Sequence, residues 1–454
     1  MALLVTFPGF ASELRWPGGV KYLKMPFPGN KRVRKTSLLL ATVLGCALFA
    51  HADAVLLLEE PYGHFGAFTA TGHAAVYLTR VCADSPTVLR RCSEDESGVV
   101  VSRYNKIAGR DWLAIPLIPY LYAVDSTDEI PLFANPKIVA FLRNQYRRKH
   151  LEGIAPDDPT GEPPTGNWTQ LVGASYDRSI YGFLIQTTEE QDDAFIRELN
   201  SRPNESHFNL LVHNCADFAS SVINFYYPHT LRRNLIADIG ITTPKQISRL
   251  LVKFSTHHAE LRSSSFVVPQ VPGTMPRSTP AHGVIESILK SKKYLLPAVA
   301  LHPVVAGFLA AAYVSDGRFD PNRHAMILES GKDLEPPLPS GERRNYQSEL
   351  NILVTKSRPL AQRAESWERL QASAEPQLDD DGRPMLHLRL GEQSVNLGIA
   401  RENILNDSPA FAQQLLMARL RTELRRGEPR ASDRDIISDW SLLQRIAPFD
   451  KRSN

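Results

Sequence analysis

The chain of 454 residues carries only four cysteines, too few for a disulfide framework to drive its folding. Charge of one sign is also scarce. Against 52 Lys and Arg stand 49 Asp and Glu, a net charge of +3, so bulk composition gives no electrostatic case for nucleic-acid binding and no nucleic-acid partner is expected. No GxGxxG, P-loop, HExxH or paired CxxC motif occurs, and no internal repeat. Dinucleotide, nucleotide and zinc chemistry therefore have no signature here, and neither a cofactor nor a metal is expected. What is present is ordinary globular material. Hydrophobic residues at 43% and charged residues at 22% exclude wholesale disorder, and the length fits two or three domains. Proline is abundant, 33 residues, which predicts long kinked connections and hints at an exported protein.

The N-terminus points to a compartment. Lys31, Arg32, Arg34 and Lys35 precede an apolar run from Ser37 to Ala50, followed by Ala52-Asp53-Ala54. Basic, apolar, then small-x-small is the layout of a secretory signal peptide, and cleavage is expected after Ala54. The run is shorter than the ~20 residues of a membrane span. A lipoprotein reading through Val43-Leu44-Gly45-Cys46 is weaker, because apolar residues follow Cys46 where a polar tether belongs. A start at Met25 would give the signal peptide ordinary proportions, leaving residues 1–24 without a structural role. The protein is thus expected to be exported, to a periplasm or cell envelope, with folding from Val55.

In an oxidising compartment Cys82 and Cys92, in a turn-rich segment between two strand-like runs, can close a short loop. Cys215 is left unpaired, either a buried inert residue or a reactive thiol.

Strands are expected over Thr69–Leu78, Gly98–Tyr104 and Ser179–Thr187, and helices over Pro136–Leu151 and from Thr188 to just before Arg202. Asp111–Val124 reads as a strand or an irregular buried segment. Helices are also expected to open at Asn214 and at Thr243-Pro244. The Pro-rich stretch 269–280 reads as a linker. Tyr294–Val314 is unbroken apolar sequence containing Pro297, His302 and Pro303, long enough to span a bilayer or to fold as a broken buried hairpin, so membrane contact through 294–314 is open. Beyond Gly331 the chain turns polar, with a hairpin pattern over Met385–Leu397 and an amphipathic helix over Pro409–Arg426. The fold class expected is α+β: a leader over 1–54, a first domain over 55–268, a linker and apolar helical segment over 269–330, and a small α+β domain over 331–454.

Chemistry gathers around Cys215. Asn214 is a good N-cap, and Asp217 three residues on completes a capping box. Phe218, Val222 and Phe225 mark the inward face of the helix, so Cys215 falls in its first turn. Unpaired N–H groups and the helix dipole there stabilise a thiolate and can bind an oxyanion. A thiol nucleophile needs a base. His73, in Thr71-Gly72-His73-Ala74-Ala75-Val76-Tyr77-Leu78, heads a strand whose small residues let a helix end approach. His64, His207 and His213 are its rivals. A metal site from His213, Cys215 and Asp217 would lack a fourth ligand.

A His heading a strand, followed much later by Asn214-Cys215 opening a helix, resembles the permuted papain-like cysteine enzymes, among them the NlpC-like peptidases and the lecithin:retinol acyltransferase-like proteins. The resemblance covers roughly Val55 to Leu261. It implies an antiparallel sheet packed on a Cys-bearing helix, with Cys215 as nucleophile and His73 as base. The family places a third polar residue on the strand after the His strand. Here that strand reads Val99-Val100-Val101-Ser102-Arg103-Tyr104-Asn105, and Ser102 and Asn105 are the nearest substitutes for it. The expected site is therefore Cys215, His73, Asn214 and Ser102. The function expected is an exported cysteine hydrolase cleaving an amide, with cell-wall peptide as substrate, through an acyl-enzyme. A membrane-associated acyltransferase acting on a lipid acyl substrate through the same pair, and a non-catalytic envelope binding protein, are the alternatives.

Overall fold

The computed structural model describes residues 52–62, 71–290, 319–328 and 369–399, apart from short breaks, with scattered positions in 304–313. The expected leader, His64, most of Tyr294–Val314 and the helix over Pro409–Arg426 lie outside the described residues. The fold is α+β, built on a seven-stranded sheet in the order β6-β5-β2-β1-β7-β8-β9. Six neighbouring strands pair antiparallel: β1 (Ala52–Glu59), β2 (His73–Leu78), β5 (Val99–Ser102), β6 (Leu113–Pro116), β7 (Ile180–Thr187) and β8 (Ser264–Val268). The short β9 (Met326–Ile327) joins β8 in parallel.

Strand β1 was not among the expected elements, and the reason lies in its burial. Val55 and Leu57 pack into one core and Ala54, Leu56 and Leu58 into the other. A strand covered on both faces shows a continuous apolar run and no alternation. It starts at Ala52, so the expected cleavage point after Ala54 falls inside it, and Asp53 is already buried.

One face of the sheet carries the helices that matter for chemistry. The Cys215–Tyr226 helix packs Ala216, Ala219, Val222 and Ile223 against Ala74, Val76 and Val101, beside the Glu189–Ser201 and Pro244–Ser255 helices. The other face packs Tyr120 and Leu121 of a short helix (Leu117–Tyr122), the Pro136–His150 helix, and Leu386 and Leu388. The segment Asp111–Val124 thus divides into β6 and a helix, with Pro116 at the junction.

The disulfide Cys82–Cys92 forms, with a Cα separation of 4.8 Å. It clasps the hairpin of β3 (Val81–Ser85) and β4 (Val88–Arg91). The stretch 269–280 is no free linker: Gln270 Nε2 donates to Tyr176 O at 2.8 Å, Val271 N–H to Ser175 O at 2.8 Å, and Ser278 Oγ to Glu60 Oε2 at 2.6 Å. These partners are distant in sequence, which is why composition alone reads it as a tether. The hairpin pattern over Met385–Leu397 is present as β11 (Pro384–Leu390) paired with β12 (Gln393–Gly398), with β10 (Glu375–Leu378) alongside. Among the described residues no helix is long and apolar enough to cross a membrane.

Candidate active site

Gly72 sets where the His strand begins. Its φ is +76°, and a Cβ there would stand 2.1 Å from Glu59 O, so only glycine lets β2 pair this closely with the end of β1. His73 then opens β2 opposite Glu59, and Ala74 and Ala75 after it leave room for the neighbouring helix end. That end is built by Asn214. Its Oδ1 accepts from Asp217 N–H at 3.0 Å while Asp217 Oδ2 accepts from Asn214 N–H at 3.1 Å, a reciprocal capping box. The Asn214 amide also donates to Leu210 O and Thr242 O, each at 3.0 Å. With both side-chain donors spent on backbone carbonyls, Asn214 positions the helix and its amide has none to offer a substrate.

Cys215, the first helical residue, is partly buried and free. Its thiol and the His73 imidazole lie close enough for each to shift the other's protonation, and the Ala74 backbone N–H favours a negative charge on Sγ. On the far side of the ring, His73 Nε2 lies 2.9 Å from Ser102 Oγ. The single Ser102 proton goes to Ala74 O at 2.8 Å, so the hydroxyl accepts from Nε2–H, which leaves Nδ1 as the basic nitrogen of the neutral ring. Tyr104 stacks on the imidazole at 5.2 Å between ring centroids. Register explains the choice of Ser102 over Asn105. Val76 pairs with Val101, which sets Ser102 beside the head of β2, whereas Asn105 lies beyond the end of β5 on the cleft wall.

Electrostatics favour a thiolate–imidazolium pair. Burial works to lower the His73 pKa, but the charges of Cys215 and Glu59 and the thiol hydrogen bond lift it above its ordinary value, with Arg178 opposing. Burial works to raise the Cys215 pKa, and the His73 charge, its hydrogen bond and the Ala74 N–H together bring it below its ordinary value. Asp217 would repel a thiolate, but its carboxylate is occupied by Thr242 Oγ1 at 2.5 Å and Arg233 Nη2 at 2.9 Å as well as by the cap.

Behind the imidazole runs a buried network that the sequence does not advertise. Tyr104 interacts electrostatically with Tyr120 and Glu59, Tyr120 Oη donates to Glu59, and Glu59 pairs with Arg178 at 3.0 Å. The available signal was Glu59-Glu60, two acids ending a buried apolar run. Of the other histidines, His207 is exposed with Nδ1 on Glu205 O, and His213 is exposed and outside the cleft lining. His213, Cys215 and Asp217 do not converge. Among the described residues the one group with metal-ligand types close together is Cys82, Cys92 and Glu96, whose two sulfurs are already bonded to each other.

A cleft of about 350 Å³ opens over Cys215. Arg178, Gln170 and Asn105 contribute polar lining, and Phe208, Leu210, Ile241 and Val284 apolar lining. The first turn of the helix leaves the Cys215 and Ala216 N–H groups without intrahelical partners, the kind of donors that can bind an oxyanion formed at the thiol.

No family model matches this chain, and no curated protein matches it. Among solved structures it is similar to the crystal structure of a Type VI secretion system effector, TseH, at 15% identity over 49% of this chain and 94% of that one, with a TM-score of 0.23. At that level of overlap the reading of the site rests on its own geometry.

Proposed function

We propose that the protein is a cysteine hydrolase of the permuted papain-like type, cleaving an amide bond through an acyl-enzyme on Cys215. The observation that carries this reading is the placing of Cys215 and His73 together on the cleft wall, with Ser102 Oγ 2.9 Å from His73 Nε2. In the first half-reaction the thiolate attacks the carbonyl carbon and the C–S bond forms. The oxyanion faces the N–H groups of the helix end, and the C–N bond breaks as His73 gives its proton to the departing amine. In the second, His73 takes a proton from water, the new C–O bond forms and the C–S bond breaks, restoring the thiolate beside a protonated His73. The Ser102 hydroxyl on His73 Nε2 supports the catalytic reading over a non-catalytic binding module. The Cys82–Cys92 disulfide supports an exported location, periplasm or cell envelope, where cell-wall peptide is the substrate to assay first.

The test is incubation of the full chain with a thiol electrophile and a panel of cell-wall peptides. A single adduct mapped to Cys215, with cleavage abolished in Cys215→Ala and His73→Ala, is expected. A thiol that reacts only after unfolding would overturn the proposal.

A further inference from the structure

Two loops make the apolar side of the cleft. The first, residues 208–213, is closed on itself: Asn209 and His213 exchange backbone hydrogen bonds at 3.1 and 2.9 Å, and Leu211 N–H donates to Asn209 Oδ1 at 2.9 Å. Arg233 Nη2 ties it down through Val212 O at 2.7 Å. The second, residues 238–243, turns back through Ile241 N–H to Asp238 O at 2.9 Å. Both are fastened to the nucleophile's helix, because Asn214 donates to Leu210 O in one and Thr242 O in the other.

These well-bonded loops present aliphatic side chains to water. Leu210, Leu211 and Val212 are 48%, 50% and 44% exposed, and Ile239 is 60% exposed. Single exposed aliphatic residues are ordinary, but three in succession on a turn whose Leu210 lines the cleft mark a contact surface. Ile239 adds a second observation. It sits at φ +54°, backbone that a β-branched residue avoids, so the chain bears local strain while holding that side chain outward, two residues before cleft-lining Ile241. The same character continues inward, through Phe208, Leu210, Ile241 and Val284, to the thiol.

Resting on the acyl-enzyme reading above, we propose that this wall and rim bind an aliphatic group on the acyl half of the substrate. The acyl half stays bonded to Cys215 Sγ, and both loops are anchored to the Cys215 helix, whereas the leaving group departs toward His73. The substrate class is therefore an amide or ester whose acyl part is an aliphatic chain or bears an aliphatic side chain, and Leu210 and Ile239 set the preference.

The test uses the full chain with p-nitrophenyl acetate, butyrate and hexanoate, each held monomeric. Burial of each added methylene should raise kcat/KM about threefold to fourfold. Leu210→Asn and Ile239→Asn should shrink the acetate-to-hexanoate rise by about tenfold with thermal unfolding unmoved; Asn is at home in left-handed backbone, so the second variant is not a folding risk. Rates that are flat or falling with chain length, while acetate hydrolysis still depends on Cys215, would overturn this inference and leave the hydrolase reading standing. Absence of Cys215-dependent hydrolysis with every ester would overturn the hydrolase reading itself. A dimer that disperses in Leu211→Asn, with the length dependence intact, would make the rim a contact between copies and overturn the inference.

Discussion

His73 is held at Nε2 by Ser102 and across its face by Tyr104, with the Cys215 thiol beside it. That grip has two measurable consequences. With the thiol lowered and the imidazole raised, the ion pair exists between the two transitions. Alkylation of Cys215 by iodoacetamide should therefore rise at a pH below the ~8.5 of a free thiol. The hydrolysis rate should fall again at alkaline pH as His73 loses its proton, later than an ordinary imidazole would. In His73→Ala the alkylation curve should move up toward the free-thiol value, and an unchanged curve would show that the pair does not govern the thiol. Ser102→Ala removes the acceptor that fixes the tautomer and ring angle. It should lower kcat/KM by about ten- to a hundredfold, the scale of a misplaced catalytic group, with little change in stability. A loss confined to stability would assign Ser102 to the core alone.

Among the elements, those whose pattern is local were legible in advance. The helix end at Asn214 shows its cap and Asp217 within four residues, the His73 strand shows glycine before and small residues after, and the Cys82–Cys92 pair lies inside one hairpin. What was hidden depended on distant partners. The choice between Ser102 and Asn105 needed the register of β2 against β5, and the packing of 269–280 needed Tyr176 and Glu60. Strand β1 also hides a titrating group. Burial pushes the Asp53 carboxyl up to about 7, with Arg80 opposing and Asp192 adding, and Oδ1 has no hydrogen-bond partner. The folded state therefore keeps a proton between about pH 4 and 7 that the unfolded chain has released, so this group's contribution to stability falls as pH rises through that window. Urea unfolding across this range should show the fall, and Asp53→Asn should remove it and add about 1–3 kcal/mol at pH 8. A variant with the parent's pH slope would show that Asp53 ionises freely.

At the scale of the whole molecule, Asn135 joins regions far apart in the chain. Its Oδ1 caps the Pro136–His150 helix at Ile138 N–H, 2.8 Å away, and its Nδ2 donates to Gln371 O at 2.8 Å and Ala374 O at 3.0 Å. Asn135→Ala loses the cap and leaves two buried carbonyls without a donor, which should cost about 2–4 kcal/mol in denaturant unfolding. A cost below about 0.5 kcal/mol would mean that the 369–399 region contributes nothing to the stability of the sheet. The position of β1 has a larger consequence. It is the first described strand in the chain, yet it lies at the middle of the sheet, zipped to β2 on one side and β7 on the other. If it is trimmed, or slow to dock, two interior strands rich in apolar residues become open edges, each offering a row of unpaired backbone groups to another molecule. Damage to residues 52–59 should therefore be seen first as precipitation and strand-exchanged oligomers, before any change in catalysis could be measured.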